Sequence, residues 1–152
     1  MADRVSIHED LILAALRTQL SATVPTGNIE TRAVPLTDAN LDEMIGKAPF
    51  VYVEYGGLQS LRRLEDGTTI ATDYRYNIFT AAKSLRSIKE AQRGSYDLLA
   101  GIRETLDNAV LVNDDNPLDV KRAGAFRLIS EAPLFDSANG GTIYMSVYSV
   151  IE

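Results

Sequence analysis

Apolar residues near the start of the chain recur with the period of a helix. Their spacing is that of one helical face, which carries Ile12, Leu13, Leu16 and Leu20. Before them, Ser6 and Glu9 have the spacing of a capping box, in which a hydroxyl and a carboxylate each accept a hydrogen bond from a backbone amide. The pattern predicts a first helix that begins at this box and ends in the segment 21–27.

The next segment predicts a short strand followed by a short helix. Residues 28–34 alternate between apolar and polar side chains, which is typical of a strand. Thr37 or Asp38 then caps a helix whose apolar side chains share one face: Leu41, Met44 and Ile45. We expect this helix to stop at Gly46, because glycine adopts the left-handed conformation of a helix end without strain.

Strand patterns and a turn dipeptide dominate the middle of the chain. Residues 50–55 are aromatic and β-branched, and we expect Gly56-Gly57 to end that strand. Asp66-Gly67 then predicts a tight hairpin turn between an arm over 58–65 and a long arm from 69 to about 82. One face of the long arm carries Ile70, Tyr74, Tyr76 and Ile78, and the other carries Asp73, Arg75, Asn77, Phe79 and Ala81.

A third helix and two strands are predicted after the hairpin. The helix has an apolar stripe of Leu98, Leu99, Ile102 and Leu106, with Asn108 as its stop. Its start is ambiguous between a second capping box over 87–90 and Gly94-Ser95, and we favour the later one. Strands are predicted over about 124–131 and 142–151, the last alternating Ile143, Met145 and Val147 against Tyr144, Ser146 and Tyr148.

These elements predict one α+β domain spanning residues 1–152, in which about three helices pack on a mostly antiparallel or mixed β-sheet. A chain of 152 residues buries roughly 68–70% of its extended surface, so it needs no disulfide or metal to fold. We expect most of four tyrosines to be core residues rather than docking residues: Tyr74, Tyr76, Tyr144 and Tyr148.

Composition narrows the functional classes. The chain has no cysteine, which excludes disulfides, thiolate metal sites and cysteine nucleophiles. Its net charge of −6 argues against nonspecific nucleic-acid binding. The N-terminus lacks the pattern of a signal peptide, and the longest apolar run, residues 11–16, is too short to cross a bilayer. We therefore expect a cytosolic product without membrane attachment.

Candidate chemistry is sparse. His8, the single histidine, has no partners at triad or metal spacing and is interpreted as a solvated residue in the first turn of a helix. No phosphate-binding glycine motif occurs, and Asp114, Asp115 and Asp119 lack the pattern of a calcium loop. Asp73 and Arg75 are best explained as a surface charge pair. We predict no catalytic residue, no cofactor and no metal, and hence no enzyme.

Charge is concentrated on the two sides of the third helix. A basic segment before and at its start contains Lys83, Arg86, Lys89 and Arg93, and an acidic segment after it contains Asp107, Asp114, Asp115 and Asp119. This order opposes the helix dipole, so helix stabilisation does not explain it. Two interpretations have equal weight: solvated loops, or a head-to-tail contact in which the two segments of neighbouring subunits meet.

The predicted hairpin is a second candidate interface. Arg62 and Arg63 lie near its end, and arginine is enriched at interface hot spots. An ordinary edge hairpin, with charges that prevent aggregation, is about equally well supported.

The most characteristic stretches of the sequence are Ala48–Val53, Tyr74–Phe79, Arg93–Leu99, Ile102, Arg103 and Leu106. With the order of the predicted elements, they resemble the Mu-like phage and prophage tail proteins of the tail-terminator group. The similarity spans nearly the whole chain and is most distinctive between Arg93 and Leu106.

The resemblance implies an α+β protein of the virion tail, made in the cytoplasm of the host bacterium. Tail terminators form hexameric rings that cap the tail tube, end its polymerisation and prepare head–tail joining; in contractile tails they also contact the sheath. The implied partners are other copies of the chain, the tube protein, and sheath and head–neck proteins. Another neck or tail-completion protein is the alternative, and a small-molecule-binding domain or minor hydrolase is the third.

Overall fold

The computed structural model describes residues 3–31, 37–82, 88–112, 122–136 and 141–152. Three α-helices and six strands make up these segments. In chain order they are α1 (Arg4–Leu20), β1 (Ile29–Thr31), α2 (Asp38–Gly46), β2 (Phe50–Arg63), β3 (Thr69–Ala81), α3 (Ile88–Leu106), β4 (Val110–Val112), β5 (Arg122–Asp136) and β6 (Thr142–Ile151). The predicted α+β class is confirmed.

All six strands form one sheet in the order β1-β2-β3-β6-β5-β4. β1 is parallel to β2, and each of the other neighbouring pairs is antiparallel. The predicted mixed, mostly antiparallel sheet is therefore present. The two halves of the central hairpin, β2 and β3, are neighbours, and β6 enters between β3 and β5.

The sheet buries apolar side chains on both faces, because side chains alternate along each strand. Under α1 and α3, the sheet contributes Val51, Val53, Tyr76, Ile78, Phe126, Tyr148 and Val150. Under α2 the opposite face contributes Phe50, Phe79, Ala81 and Ile143, which pack with Leu41 and Ile45. The two predicted faces of β3 thus belong to two separate cores. Of the four tyrosines considered above, Tyr76, Tyr144 and Tyr148 are buried, as predicted for most of them.

The first helix begins earlier than its capping-box pattern predicts. Asp3 is the N-cap, and its carboxylate accepts hydrogen bonds from the amides of Val5 (3.1 Å) and Ser6 (3.2 Å). The Ser6 hydroxyl donates to the same carboxylate at 2.8 Å instead of capping. An aspartate caps a helix as well as a serine does, and the earlier start adds a turn that packs Val5 and Ile7 against the core.

The second helix has its predicted bounds, and a strand lies in the predicted segment before it. Thr37 is the N-cap of α2, whose last residue is Gly46. The left-handed conformation expected at Gly46 was wrong, because Gly46 has no positive φ and the C-cap is Lys47, with a φ of −93°. β1 begins at Ile29, after a 3₁₀ turn over Thr26–Asn28. Residues 32–36, which include the rest of the predicted strand, lie outside the described part of the chain.

Gly56-Gly57 does not end a strand, contrary to the prediction. β2 runs through both glycines, and the register with β3 shifts between Tyr55 and Gly57. Gly57 has a φ of +108°, a conformation that glycine adopts without strain and that permits a bulge. A bulge lets the strand bend and continue, so a single hairpin of unusual length results.

The third helix also begins earlier than predicted, at Ile88. Gly94 and Ser95 lie inside it, where it packs closely on the end of β3. A Cβ atom at position 94 would lie 3.1 Å from the Cβ of Ala82, and the buried Ser95 hydroxyl accepts a hydrogen bond from the Ala82 amide at 3.3 Å. The pair therefore serves tertiary packing. Asn108, with a φ of 61°, follows the helix end, in agreement with its predicted role as a stop.

The C-terminal strands differ from prediction in extent. β4 was not predicted, and β5 continues five residues past its predicted end at Glu131. Pro133 lies in this extension, next to a register shift between Pro133 and Phe135. Proline is tolerated at bulges and on strand edges because no ladder hydrogen bond from its nitrogen is needed there.

Candidate functional site

The central hairpin extends beyond the body of the sheet. β3 pairs with β6 from Asp73 to Thr80, and two backbone hydrogen bonds between Thr72 and Glu152 (2.7 and 3.0 Å) mark the end of that ladder. Residues 60–71 therefore form a two-stranded arm. We call residues 58–71 the distal hairpin.

The turn of the distal hairpin is well ordered by local hydrogen bonds. The Leu64 amide donates to the Thr68 carbonyl at 2.8 Å, and the Asp66 carboxylate accepts from the Thr68 amide at 2.9 Å. Gly67 has a φ of +87°. Hydrogen bonding from Thr68 lowers the pKa of Asp66. The predicted Asp-Gly hairpin turn is thus confirmed.

Large apolar side chains lie exposed on the distal hairpin. The exposed fractions are 56% for Leu58, 48% for Leu61 and 48% for Leu64. Arg62 and Arg63 lie beside them and are also exposed. Register shifts on either side of Arg62 place Arg62 opposite Ala71 and Arg63 opposite Thr69. The two consecutive arginines are therefore paired with two residues of the same face of β3. Clustered exposed apolar residues next to arginines are typical of a protein-binding surface.

A second exposed apolar region lies at the opposite edge of the sheet. Ile129 (49% exposed) and Leu134 (43%) are in β5, and Val110 (45%) is in β4. Among the side chains that the structure describes, six of the eight exposed large hydrophobic residues are thus on these two sheet edges, which makes the edges the strongest candidates for contact with other proteins. The remaining two are Tyr96 and Ile151.

The predicted interface residues fall into two groups. Arg62, Arg63 and Arg93 are described and exposed, the last on α3. Lys89 is in α3, but the described structure does not include its side chain, and Lys83, Arg86, Asp114, Asp115 and Asp119 lie outside the described residues. The contact between the basic and acidic segments stays a prediction. Asp107 has an internal role, since its carboxylate accepts a hydrogen bond from the Leu128 amide at 3.0 Å.

Sequence reasoning missed the leucines of the distal hairpin. Leu58, Leu61 and Leu64 are spaced by three, which neither strand alternation nor a helical stripe explains. An apolar residue at every third position of a strand requires bulges or exposure, and both occur here. That irregular spacing was the available signal.

His8 is fully buried, so its interpretation as a solvated residue was wrong. Its Nδ1 lies 2.7 Å from the Tyr76 hydroxyl, and its Nε2 lies 3.1 Å from Glu152 Oε2. Burial lowers the pKa of His8, although the Glu152 carboxylate opposes the shift. His8 lies four residues before Ile12 and therefore belongs to the apolar stripe of α1. This spacing was the signal of burial in the sequence, but the acidic neighbour Glu9 favoured a solvated position.

Glu152 connects the C-terminal end of the described chain to α1. Its carboxylate accepts hydrogen bonds from Arg4 Nε (2.8 Å) and from the Gly124 amide (2.7 Å). Burial raises the pKa of Glu152, but these hydrogen bonds and the nearby His8 together lower it below its usual value. Arg4, His8, Tyr76 and Glu152 together form a structural clasp that joins α1, β3 and the end of β6.

Asp73 and Arg75 form the predicted charge pair, with the guanidinium Nε and Nη2 atoms 3.2 and 3.1 Å from Asp73 Oδ2. Asp73 is buried, however, and its other oxygen accepts a hydrogen bond from the buried Ser149 hydroxyl. The pair therefore joins β3 to β6 and is more than a solvated surface pair. Glu54, a carboxylate on β2, accepts a hydrogen bond from the Asn77 amide group at 3.3 Å.

The described residues contain no metal site of the usual kind, since no group of three or more histidine, aspartate or glutamate side chains among them is arranged to hold a metal ion. None of the described helices combines the length and apolarity needed to cross a membrane.

Comparison with known proteins gives similarities to solved structures alone, and the one named below is weak. No family model matches the sequence, and no curated protein matches it significantly. A chain from a solved structure described as "Virion of native gene transfer agent (GTA) particle" aligns with a TM-score of 0.45 and 16% sequence identity, covering 91% of this chain and 92% of that chain. A similarity of this size does not by itself establish a shared function.

Proposed function

We propose that this chain is a structural protein of a phage-like virion whose copies close into a ring on the end of the tail tube. In this role it is a tail terminator: the ring, a hexamer by family resemblance, ends tube polymerisation and presents a surface for head attachment. Its partners are other copies of itself and the tube protein, with sheath and head–neck proteins as further contacts.

The observation that carries the proposal is the distal hairpin. The distal hairpin has three leucines that are about half exposed and two adjacent arginines, and so exposes apolar surface that a protein without partners has reason to bury. Its turn is fixed by hydrogen bonds, so little conformational entropy is lost when a partner binds it. These properties favour a role in protein–protein contact.

The chemistry of the buried polar groups agrees with a structural role. His8, the chain's one histidine, holds α1 to β3 and to Glu152, and Asp73 holds β3 to β6. Both groups that could have suggested catalysis are thus engaged in joining elements of the fold. The resemblance to tail terminators, which have no catalytic residues, supports the same conclusion.

The test is a tube-polymerisation assay with the tube protein encoded near this chain. We expect added chain to shorten the tubes and to leave a ring-shaped cap visible in negative-stain images at one tube end. The matched control is a variant with Leu61→Ser and Leu64→Ser, which keeps the turn and removes exposed apolar surface. Tubes of unchanged length without caps would contradict the proposal. Binding to the connector protein instead of the tube would identify a neck protein.

A further inference from the structure

We propose that the outer edge of β2 in one copy pairs with the outer edge of β5 in a second copy, head to tail, as an antiparallel ladder. The β2 edge is defined here as residues 54–63 and the β5 edge as residues 129–136. The inference rests on the proposed function, because it names the surfaces through which copies of the chain meet.

Strand direction favours this pairing. Because β2–β3, β3–β6 and β6–β5 are all antiparallel, β2 and β5 run in opposite directions within one sheet. A second copy placed beside the first in the same orientation therefore brings its β2 antiparallel to the first copy's β5. Antiparallel ladders are slightly more stable per residue than parallel ones, and the alternation of directions continues across the contact.

The accessible parts of the two edges lie at opposite ends of the sheet. Among the described residues, β1 pairs with Val51–Val53 at the start of β2, and no described strand pairs with the outer side of β2 from there toward the hairpin turn. β4 pairs with Arg122 and Ala125. This cover extends to Leu128, because the Asn108 and Phe126 amides donate across the edge and the Asp107 carboxylate accepts from the Leu128 amide. The rest of β5, toward Asp136, pairs with no described strand on its outer side.

This offset determines how two copies can meet. The β2 edge can reach the β5 edge only if the second copy is displaced along the strands, and that displacement moves β1 and β4 away from the contact. A constant displacement between neighbouring strands is what a closed barrel requires, where it appears as strand tilt. A head-to-tail contact that repeats in this way closes into a ring when the rotation between neighbouring copies closes, and otherwise gives an open filament.

Side chains at the two edges are complementary. Each edge has exposed apolar residues: Leu58 and Leu61 on β2, Ile129 and Leu134 on β5. The β2 edge carries Arg62 and Arg63 near the turn, whereas the β5 edge carries Glu131 and Asp136 and no basic residue. Glu131 is already paired with Arg103 and is half-buried. Asp136 is exposed and accepts a hydrogen bond from the Thr142 hydroxyl with Oδ1 at 2.7 Å, so Oδ2 is the acceptor that we assign to a neighbouring arginine.

Cysteine cross-linking tests the pairing directly, because the chain contains no cysteine of its own. Leu61→Cys is mixed with Leu134→Cys, or with Ile129→Cys to allow for register, under mild oxidation. We expect a disulfide-linked dimer of twice the 16.6 kDa chain mass in these mixtures and little in either variant alone. The control mixture is Leu61→Cys with Tyr96→Cys, a similarly exposed position on α3.

Each other outcome overturns the inference. Rapid dimerisation of Leu61→Cys alone would show that two hairpins pair about a two-fold axis. Equal cross-linking with the Tyr96→Cys control would show random collision. If the wild-type chain assembles by mass but no mixture of edge variants cross-links, the inference fails and the proposed ring survives with other contacts. If the wild-type chain neither assembles nor caps tubes, both proposals fail.

Discussion

The imidazole of His8 and the hydroxyl of Tyr76 lie 2.7 Å apart, from Nδ1 to the phenolic oxygen, although 68 positions separate them in the chain. Both side chains are fully buried between α1 and β3. The hydrogen bond therefore joins the first helix to β3, the second strand of the central hairpin. The burial of His8 also makes the stability of the fold depend on pH.

Acidification from neutral pH is expected to destabilise the protein through His8. Burial lowers its pKa in the folded state below the ordinary 6.5, so the unfolded chain binds the proton first and stability falls as pH drops below that value. The slope for one proton is at most about 1.4 kcal/mol per pH unit. Urea unfolding at several pH values measures it.

The matched variant is His8→Gln, which removes the titrating group and retains polar atoms. Its stability is expected to show no slope just below pH 6.5. The pKa of Glu152 is lowered from an ordinary value of 4.5, so the stability that it contributes is lost only at more acidic pH. Identical profiles for the wild type and His8→Gln near pH 6 to 6.5 would contradict this assignment to His8.

Replacing a buried tyrosine by phenylalanine is expected to change the free energy of unfolding differently at two positions. Tyr76→Phe removes the hydrogen bond to His8 and leaves a buried imidazole nitrogen without it, at a cost of about 1–3 kcal/mol. Tyr148→Phe removes a buried hydroxyl that has no hydrogen-bond partner among the described residues, so the free energy of unfolding is expected to be unchanged or higher. Chemical denaturation of both variants compares them. A larger loss for Tyr148→Phe than for Tyr76→Phe would show that its hydroxyl has a partner.

Gly124 is expected to tolerate no side chain. A Cβ there would lie 2.7 Å from the carbonyl oxygen of Ile151, and moving that oxygen disturbs the ends of β5 and β6. Gly124→Ala should lower the free energy of unfolding by about 1–3 kcal/mol. Gly27→Ala is the control, since nothing lies within 4 Å of a Cβ at that position. Equal thermal unfolding midpoints for the two variants would argue against this packing.

Sequence patterns predicted the elements better than their ends. The stripe containing Ile12 and Leu16 and the Asp66-Gly67 turn were reliable because periodicity and turn chemistry are local properties. The errors occurred where tertiary contacts decide. Gly94 and Ser95 have the local pattern of a helix start, but their role is close packing on Ala82, which no local pattern reveals.

The candidate surface was only partly predictable for the same reason. The charge of Arg62 and Arg63 and the hairpin turn are readable from the sequence. The exposure of Leu61 and Leu134 depends on where β6 ends and how far β4 covers β5, and these follow from strand order. His8 was misjudged because its neighbour in sequence is acidic, whereas its neighbours in space are aromatic, at ring-centroid distances of 5.0 Å to Tyr74 and 5.6 Å to Tyr76.

The most direct test of the account is the mass of the assembled chain in solution and how the distal hairpin changes it. Sedimentation velocity over a range of concentrations is expected to show a multi-subunit species for the wild type. A variant with Leu61→Glu and Leu64→Glu should sediment as the 16.6 kDa monomer with an unchanged circular dichroism spectrum. Two results would contradict the claim that this surface exists to bind other proteins. One is a wild-type chain that stays monomeric at every concentration and on tail tubes, and the other is a variant that assembles as the wild type does.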